Sequence, residues 1–530
     1  MLLLSVNPFD NIGLSALVAA VPIILFLLCL TIFKMKGIYA ALTTLVVTLL
    51  VALPVFKLPI PVSAGAITEG VVAGIFPIGY IVLMAVWLYK VSIKTGQFNI
   101  IQDSIASISQ DQRIQLLLIG FCFNAFLEGA AGFGVPIAIC AVLLIQLGFE
   151  PLKAAMLCLI ANGAAGAFGA IGLPVSIIDT FNLGGGVNAL SVSTFSALTL
   201  PILNFIIPFV LVYIIDGFKG IKEILPIILT VSTTYAGLQL LLTVFQGPEL
   251  ADIIPPLATM VVLAVVCRKY KPKHIFRLQD NQKEIQKRTI KEIIYAWSPF
   301  VILTVIVLFW SAPFFKKLFM PGGALEKLVL TIPLPQTVSA LSPKGIVLRL
   351  DIIGATGTAI LLTVILTMII TKINLKAAGA LFVEAFKELW IPIITISVIL
   401  AIAKVMTYGG MTVAMGQGIA KAGSIFPLFS PVLGWIGVFM TGSVTNNNTL
   451  FAPIQTTVAQ QISTSAPLLV AANTAGGVAA KLISPQSIAI ATAAVKKVGE
   501  ESALLKMTLK YSIGFAIFIC IWTYILTLIF

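Results

Sequence analysis

The sequence predicts an all-α polytopic membrane protein built from two inverted-topology repeats. Of its 530 residues, 59% are hydrophobic and only 10% are charged, and the mean hydropathy is +1.09. Water-soluble domains do not have this composition. Apolar runs of about 20 residues, the length at which a helix crosses a hydrocarbon core of roughly 30 Å, recur along the whole chain. A short motif also occurs in both halves with the same internal spacing.

Twelve segments have the length and composition of a spanning helix. They are residues 12–33, 37–56, 70–90, 151–178, 192–215, 223–246, 252–267, 292–312, 351–371, 384–404, 467–495 and 508–528. Two longer apolar stretches, 114–149 and 431–463, do not fit as single spans. Small or polar residues interrupt each near its middle, EGAAGFG in the first and TNNNT in the second. Both are predicted to be re-entrant hairpins, whose tips must line protein or a water-filled cavity.

The two halves share the pattern A-N-x-x-x-G-x7-P-x-S-I. It occupies residues 161–177 and residues 472–488, an offset of 311. Each unit has five spans and one hairpin, and two further spans separate the units. Equivalent points therefore lie seven spans apart, and because seven is odd the repeats are expected to be inverted. The predicted division is repeat 1 at 1–216, a link of two spans and a basic loop at 217–291, and repeat 2 at 292–530.

The basic residues orient the chain in the membrane. A net charge of +13 would suggest nucleic acid in a soluble protein, but these residues fall in short links between apolar segments. The positive-inside rule explains them there, so the predicted surface partner is the lipid bilayer and no nucleic acid is expected. Residues 268–292 carry nine Lys or Arg, which predicts a cytoplasmic loop at 268–291 and, by threading, external N- and C-termini. The loop 313–350, with five basic residues, fits its predicted external position less well.

In each repeat the hairpin is followed by an interrupted span. The sequences ANGAAGAFGAIGLPVSI and AANTAGGVAAKLISPQSI predict broken helices at 151–178 and 467–495. Breaks of this kind leave half-helix N-termini with free N–H groups and a positive dipole end, which together form a cradle for an anion such as a small carboxylate. Small-residue helix packing explains any single glycine motif as well. Four interruptions in two repeated pairs favour a binding site.

Two charges, Glu128 and Lys481, lie deepest in the interrupted segments. Either one at the bilayer centre costs about 2.5 to 3.5 kcal/mol on insertion scales, so both are functional candidates. Glu128 is predicted to carry the coupling proton, and the alternative is a structural role, either as the partner of a lysine or as the cap of a half-helix. Lys481, which stands where repeat 1 has Ala170, is predicted to neutralise a substrate carboxylate, and a snorkelling lysine is the alternative.

The other predicted substrate-binding residues are polar or glycine positions in the same segments. For the Asn run of the second hairpin, an exposed loop is the alternative to substrate contact. The full set is Asn124, Gly129, Gly132, Asn162, Ser176, Thr445, Asn446, Asn447, Asn448, Asn473 and Ser487.

The sequence carries no sign of enzymatic chemistry. It has no nucleotide-binding, zinc or nucleophile-elbow motif, its single histidine, His274, lies in the basic loop, and its six cysteines have no metal-ligand spacing. We therefore expect no catalytic residues, no metal and no cofactor. Inverted repeats with broken helices are typical of secondary transporters. A carboxylate-selective anion channel is the rival class, and a membrane enzyme is a distant third.

At FNAFLEGAAGFGVPIAI, ANGAAGAFGAIGLPV, TGSVTNNNTLFAPIQ and AANTAGGVAAKLISPQSIAIA the sequence closely resembles the bacterial L-lactate permease family, which also includes glycolate permeases. The resemblance implies proton-coupled symport of L-lactate and related 2-hydroxy monocarboxylates, such as D-lactate and glycolate, across the bacterial plasma membrane. It also implies distant kinship to ion transporters that use two re-entrant hairpins and an elevator-like movement. A sodium-coupled carboxylate transporter is the alternative within the class, and a homodimer is left open.

Overall fold

The computed structural model describes residues 6–132, 134–270, 272–278, 288–339, 341 and 345–530. This part of the chain is predominantly helical. Ten of its helical stretches are long and apolar enough to cross a membrane. By length and composition the protein is therefore a multi-pass membrane protein, as the sequence predicts. Part of the basic loop, residues 271 and 279–287, lies outside the described residues.

The described residues of the first half of the chain form twelve α-helices. They are α1 (Ile12–Thr31), α2 (Gly37–Ala52), α3 (Ile60–Ala73), α4 (Tyr80–Lys94), α5 (Gln97–Ala106), α6 (Gln112–Gln115), α7 (Asn124–Ala130), α8 (Val135–Gln146), α9 (Pro151–Asn162), α10 (Gly169–Ser176), α11 (Ala189–Ser196) and α12 (Leu200–Glu223). Two π-helical segments, Gly74–Gly79 and Leu116–Phe123, join α3 to α4 and α6 to α7. A 3-10 turn, Ile177–Thr180, extends α10.

The second half begins after two linking helices, α13 (Leu225–Phe245) and α14 (Ile254–Lys269). It contains α15 (Ile290–Ser311), α16 (Pro313–Leu318), α17 (Thr356–Thr371), α18 (Leu375–Tyr408), α19 (Met411–Ala420), α20 (Phe426–Thr441), α21 (Val444–Gln461), α22 (Ala466–Lys481), α23 (Pro485–Ala494) and α24 (Glu501–Thr527), with short 3-10 turns at Glu326–Leu328 and Gly423–Ile425. Strands β1 (Leu330–Pro333) and β2 (Val347–Leu350) pair antiparallel.

Three features differ from the expectation of simple helical spans. The predicted span 70–90 is part of a longer stretch, Ile60–Lys94, which is interrupted where Phe76 has extended backbone angles. The predicted span 384–404 is the centre of the 34-residue helix α18. The β1–β2 pair makes the protein not strictly all-α, because the loop between α16 and α17 contains a short hairpin.

Both stretches that were predicted as hairpins are helix–turn–helix units. In the first, α7 ends at Ala130 and α8 begins at Val135, and Gly132 and Gly134 have positive φ in the turn between them. In the second, the turn consists of Gly442, with φ +69°, and Ser443. The TNNNT run therefore does not form the tip. The Ser443 hydroxyl accepts a hydrogen bond from the Asn446 N–H, which caps α21, so the Asn run lies in the first turns of that helix.

Both predicted broken helices are interrupted. Residues 163–168 form turns between α9 and α10, and Ala170 and Ile171 then adopt left-handed backbone angles that end regular helix geometry. The second break, residues 482–484, separates α22 from α23. Each break lies where the chain passes from one of two large apolar core clusters to the other. The interruptions thus lie at the boundary between two packed bodies of side chains.

Candidate functional site

The deepest charge of the first hairpin lies at the end of its first arm. Glu128 precedes the end of α7 by two residues, and it is only 3% exposed. A carboxylate this deeply buried requires a charged or hydrogen-bonding partner. Its position beside the Gly132–Gly134 turn brings it close to the start of α10, where an added Cβ on Gly169 would lie 2.6 Å from Glu128 Oε1. A glycine is therefore needed at residue 169 for the carboxylate to sit where it does.

Glu128 is paired with Lys481 from the other half of the chain. Lys481 Nζ donates to Glu128 Oε1 at 2.5 Å, and Asn162 Nδ2 donates to Glu128 Oε2 at 2.9 Å. Asn162 Nδ2 also lies 3.1 Å from Asn124 Oδ1, and Asn124 Nδ2 donates to the carbonyl of Cys158. The first hairpin, the first broken helix and the second broken helix therefore meet at one carboxylate.

Lys481 reaches Glu128 because α22 ends there. It is the last residue of α22, and the chain turns away at 482–484. Its side chain is 12% exposed, against 4% for Glu128, so the lysine is the more accessible partner. An added Cβ on Gly166 would lie 3.2 Å from Lys481 Cδ, which shows how closely the first broken helix packs on the lysine stem.

A cavity of about 450 Å³ adjoins the ion pair. Six of the residues predicted from the sequence line it: Glu128, Gly132, Thr445, Asn446, Lys481 and Ser487. The opposite wall comes from α18, at Ile391, Thr395 and Ile399, and from the start of α2, at Lys36 and Tyr39. Both hairpin turns and the residues around both helix breaks thus share one cavity, whose wall also includes one carboxylate, Glu128, and two lysines, Lys36 and Lys481.

Three predicted asparagines make helix contacts and do not line the cavity. Asn473 Nδ2 donates to Asn448 Oδ1 at 3.0 Å, and Asn448 Nδ2 donates to the Pro174 carbonyl at 2.8 Å. Asn447 Nδ2 lies 3.5 Å from the Asn473 carbonyl. These amides connect the second hairpin to both broken helices.

The remaining predicted residues also lie away from the cavity wall. An added Cβ on Gly129 would lie 2.3 Å from the Asp252 carbonyl oxygen, so this glycine permits close packing of α7 on the loop before α14. Ser176 Oγ is buried, and within the described part of the chain no hydrogen-bond partner reaches it. Asn162 contacts Glu128 at the cavity wall, and Asn124 contacts Asn162.

Sequence reasoning missed several cavity residues. Ser443 and Gln486 lie in or beside motifs that were recognised, so the turn at Gly442 could have suggested them. Lys36 and Tyr39 gave no signal, because a lysine in a short link is ordinary for a membrane protein. Among the described residues, no group of three or more His, Cys, Asp or Glu side chains could hold a metal ion.

A second buried ion pair lies outside the cavity wall. Lys404 Nζ on α18 donates to Glu69 Oε1 on α3 at 2.7 Å, and Tyr408 OH donates to Glu69 Oε2 at 2.9 Å. Lys404 also donates to the Thr180 carbonyl, at the end of the first broken helix. This pair provides a comparison for Glu128 and Lys481, because it does not face the cavity, although here the lysine is the more buried partner, at 2% exposed against 13% for Glu69.

Interrupted helices that surround a buried ion pair and a cavity, in a chain of many membrane-length helices, define a membrane transport protein. The chain belongs to the L-lactate permease family, whose model matches residues 15–530. It is therefore a permease and not an enzyme.

Individual relatives cover nearly the whole chain. This chain is 58% identical to an L-lactate permease of Halalkalibacterium halodurans, and the match covers 100% of both chains. It is 42% identical to the glycolate permease of Escherichia coli K12, over 96% of this chain and 95% of the relative. The solved structure of the Neisseria gonorrhoeae efflux pump MtrF covers 88% of this chain and 83% of its own, with 17% identity and a TM-score of 0.46.

Proposed function

We propose that the protein is a secondary active transporter that carries L-lactate and related 2-hydroxy monocarboxylates, including D-lactate and glycolate, across the bacterial plasma membrane together with protons. The names of the relatives support the substrate class. The observation that carries the mechanism is the Glu128–Lys481 ion pair at the wall of the cavity.

The substrate carboxylate binds at Lys481. In the empty site the lysine has Glu128 as its counterion, and a second carboxylate cannot join them without leaving one negative charge unpaired at low dielectric. Protonation of Glu128 removes that obstacle. Lys481 then pairs with the substrate carboxylate. Thr445, Asn446 and Ser487 line the same cavity and supply hydrogen-bonding groups for the substrate hydroxyl.

This exchange of partners couples the two fluxes. The empty site holds one carboxylate and one ammonium, with net charge zero. The loaded site holds a neutral carboxylic acid, the same ammonium and one lactate, and its net charge is again zero. A proton without lactate, or lactate without a proton, leaves a buried charge uncompensated and is disfavoured. One proton therefore enters with each lactate, and the transport step moves no net charge.

Alternating access follows from the position of the site between the two core clusters. Two inverted repeats, with hairpins and broken helices meeting at one cavity, are the arrangement in which one body moves against the other past a central site. We propose an elevator-like movement of this kind. The cavity extends to Lys36, in the link before α2 that the positive-inside rule predicts to be cytoplasmic, and to Tyr39 in the first turn of α2, which supports an inward-open state. In the same topology the loop 268–291 is cytoplasmic and both termini are external.

The test is lactate uptake by proteoliposomes under separately imposed proton and sodium gradients. The proposal expects accumulation driven by the proton gradient alone, and faster exchange when lactate is present on the opposite side. Accumulation driven only by the sodium gradient would mean that sodium, and not the proton, is the coupling ion. The backbone carbonyls of the helix breaks would then be the sodium ligands. The absence of both accumulation and trans-acceleration would indicate an anion channel.

A further inference from the structure

A second cleft lies away from the Glu128 cavity, between α9, α12 and α24. It has a volume of about 710 Å³, and its lining residues are Met156, Tyr213, Ile214, Gly217, Phe218, Lys506, Met507, Lys510 and Tyr511. Gly217 interrupts α12 with φ +61° and ψ −157°, and an added Cβ there would meet no atom within 4 Å. The break in α12 therefore opens space instead of allowing closer packing.

The cleft has two positive charges without counterions. Lys506 and Lys510 are exposed and lie one turn apart on α24, so they share a face of that helix. Neither forms an ion pair with any residue that the structure describes. The two carboxylates of α12, Asp216 and Glu223, are each bound by Arg113 Nη1 at 2.8 Å.

The rest of the cleft is aromatic and apolar. The rings of Tyr213 and Phe218 lie 4.9 Å apart, and Phe218 is 70% exposed. Beyond the lysines, exposed isoleucines follow α24 at intervals of four residues: Ile513, Ile517, Ile521 and Ile525. The two lysines therefore lie at one end of a row of exposed isoleucines on α24.

We propose that this cleft binds one anionic phospholipid, with its phosphate between Lys506 and Lys510 and an acyl chain along the isoleucines of α24. The lysines lie five and nine residues beyond the first residue of α24, one on each side of residue 508, where the predicted span 508–528 begins, so they are expected at the level of the headgroups. The topology assigns this end of α24 to the cytoplasmic face, where anionic lipids gather and basic pockets between helices bind their headgroups.

A free phosphate would use the two lysines but would not account for the aromatic rings beside them or for the exposed isoleucines of α24. The occupant would also contact α9, the helix that carries Asn162 to Glu128. Lipid binding is measured without transport, so its result does not depend on which substrate or coupling ion the transporter uses.

The experiment is native mass spectrometry of the purified full chain with phosphatidylglycerol or phosphatidylcholine. The wild type should retain phosphatidylglycerol in preference to phosphatidylcholine. The Lys506→Gln/Lys510→Gln double variant should bind it roughly 30-fold more weakly, equivalent to about 1 kcal/mol for each lysine near an anionic lipid. The control is Lys376→Gln/Lys387→Gln, which removes two exposed lysines from α18 and should leave retention unchanged.

Three outcomes would overturn the proposal. The double variant could retain phosphatidylglycerol as the wild type does, the wild type could retain phosphatidylcholine equally well, or excess glycerol phosphate could displace the lipid, which would reduce the site to a phosphate site. Melting temperatures of both double variants establish that each is folded.

Discussion

The substitution Glu128→Gln isolates the coupling step. Glutamine has nearly the shape of a protonated glutamate, but it cannot lose a proton. In the structure the two carboxylate oxygens accept hydrogen bonds from Lys481 and Asn162 at 2.5 and 2.9 Å. Glutamine keeps one acceptor and no charge, so Lys481 loses its counterion permanently. The variant should therefore bind lactate without needing a proton.

The size of the effect follows from the exchange of partners. At pH values where Glu128 of the wild type is ionised, each further pH unit adds tenfold to the lactate concentration for half-saturation, or about 1.4 kcal/mol. In the variant this slope should fall to zero. Breaking a buried pair costs about 3 to 5 kcal/mol of stability when the remaining charge is unsolvated. Lys481 is 12% exposed beside a cavity, so the cost should lie toward the lower end.

The assay is lactate counterflow in proteoliposomes at several pH values around neutrality, followed by uptake under a proton gradient. We expect the Glu128→Gln variant to retain counterflow, with a half-saturation concentration independent of pH, and to lose proton-driven accumulation. The matched control is Glu69→Gln, which removes a carboxylate paired with Lys404 outside the cavity wall and should keep the wild-type slope. Proton-driven accumulation by Glu128→Gln, or an unchanged pH slope, would refute the reasoning.

Three further predictions concern the surroundings of this pair. Lys481→Met should raise the half-saturation concentration for lactate by about 10- to 100-fold, the range for losing a charged hydrogen bond, and unchanged half-saturation would remove the lysine from the site. Gly169→Ala places a Cβ 2.6 Å from Glu128 Oε1 and should reduce uptake, whereas Gly237→Ala, with no atom within 4 Å, should not; equal uptake by both variants in a transport assay would contradict this. Gly434→Ala places a Cβ 1.9 Å from a backbone oxygen of α22 and should destabilise the protein by about 1 to 3 kcal/mol or more, seen as a lower melting temperature.

The sequence singled out the two charges that the structure places at the cavity wall, but it did not predict that they pair with each other. Glu128 and Lys481 each stood out because an ionisable residue in an apolar, interrupted segment is costly. They are 353 residues apart, and the distance between their side chains depends on how both broken helices pack. The structural pair, considered as an alternative to the coupling role, is present, and the proposed mechanism uses the same contact for coupling.

The asparagine run shows where sequence reasoning falls short. Its polarity predicted a hairpin tip that faces substrate, but the turn occurs at Gly442 and Ser443, where a left-handed glycine and a capping serine end one helix and begin the next. That shift places Asn447 and Asn448 in α21, where their side-chain amides contact the backbone carbonyls of Asn473 and Pro174. Buried amides satisfy backbone groups as readily as they bind ligands, and composition alone does not distinguish the two.

The most direct test of the central claim is the ratio of proton to lactate flux, with the voltage dependence, in proteoliposomes that contain a pH indicator and receive labelled lactate. Exchange of partners at Lys481 predicts one proton for each lactate and a rate unchanged by an imposed membrane potential. Lactate entry without protons, or a rate that follows the membrane potential, would contradict the account.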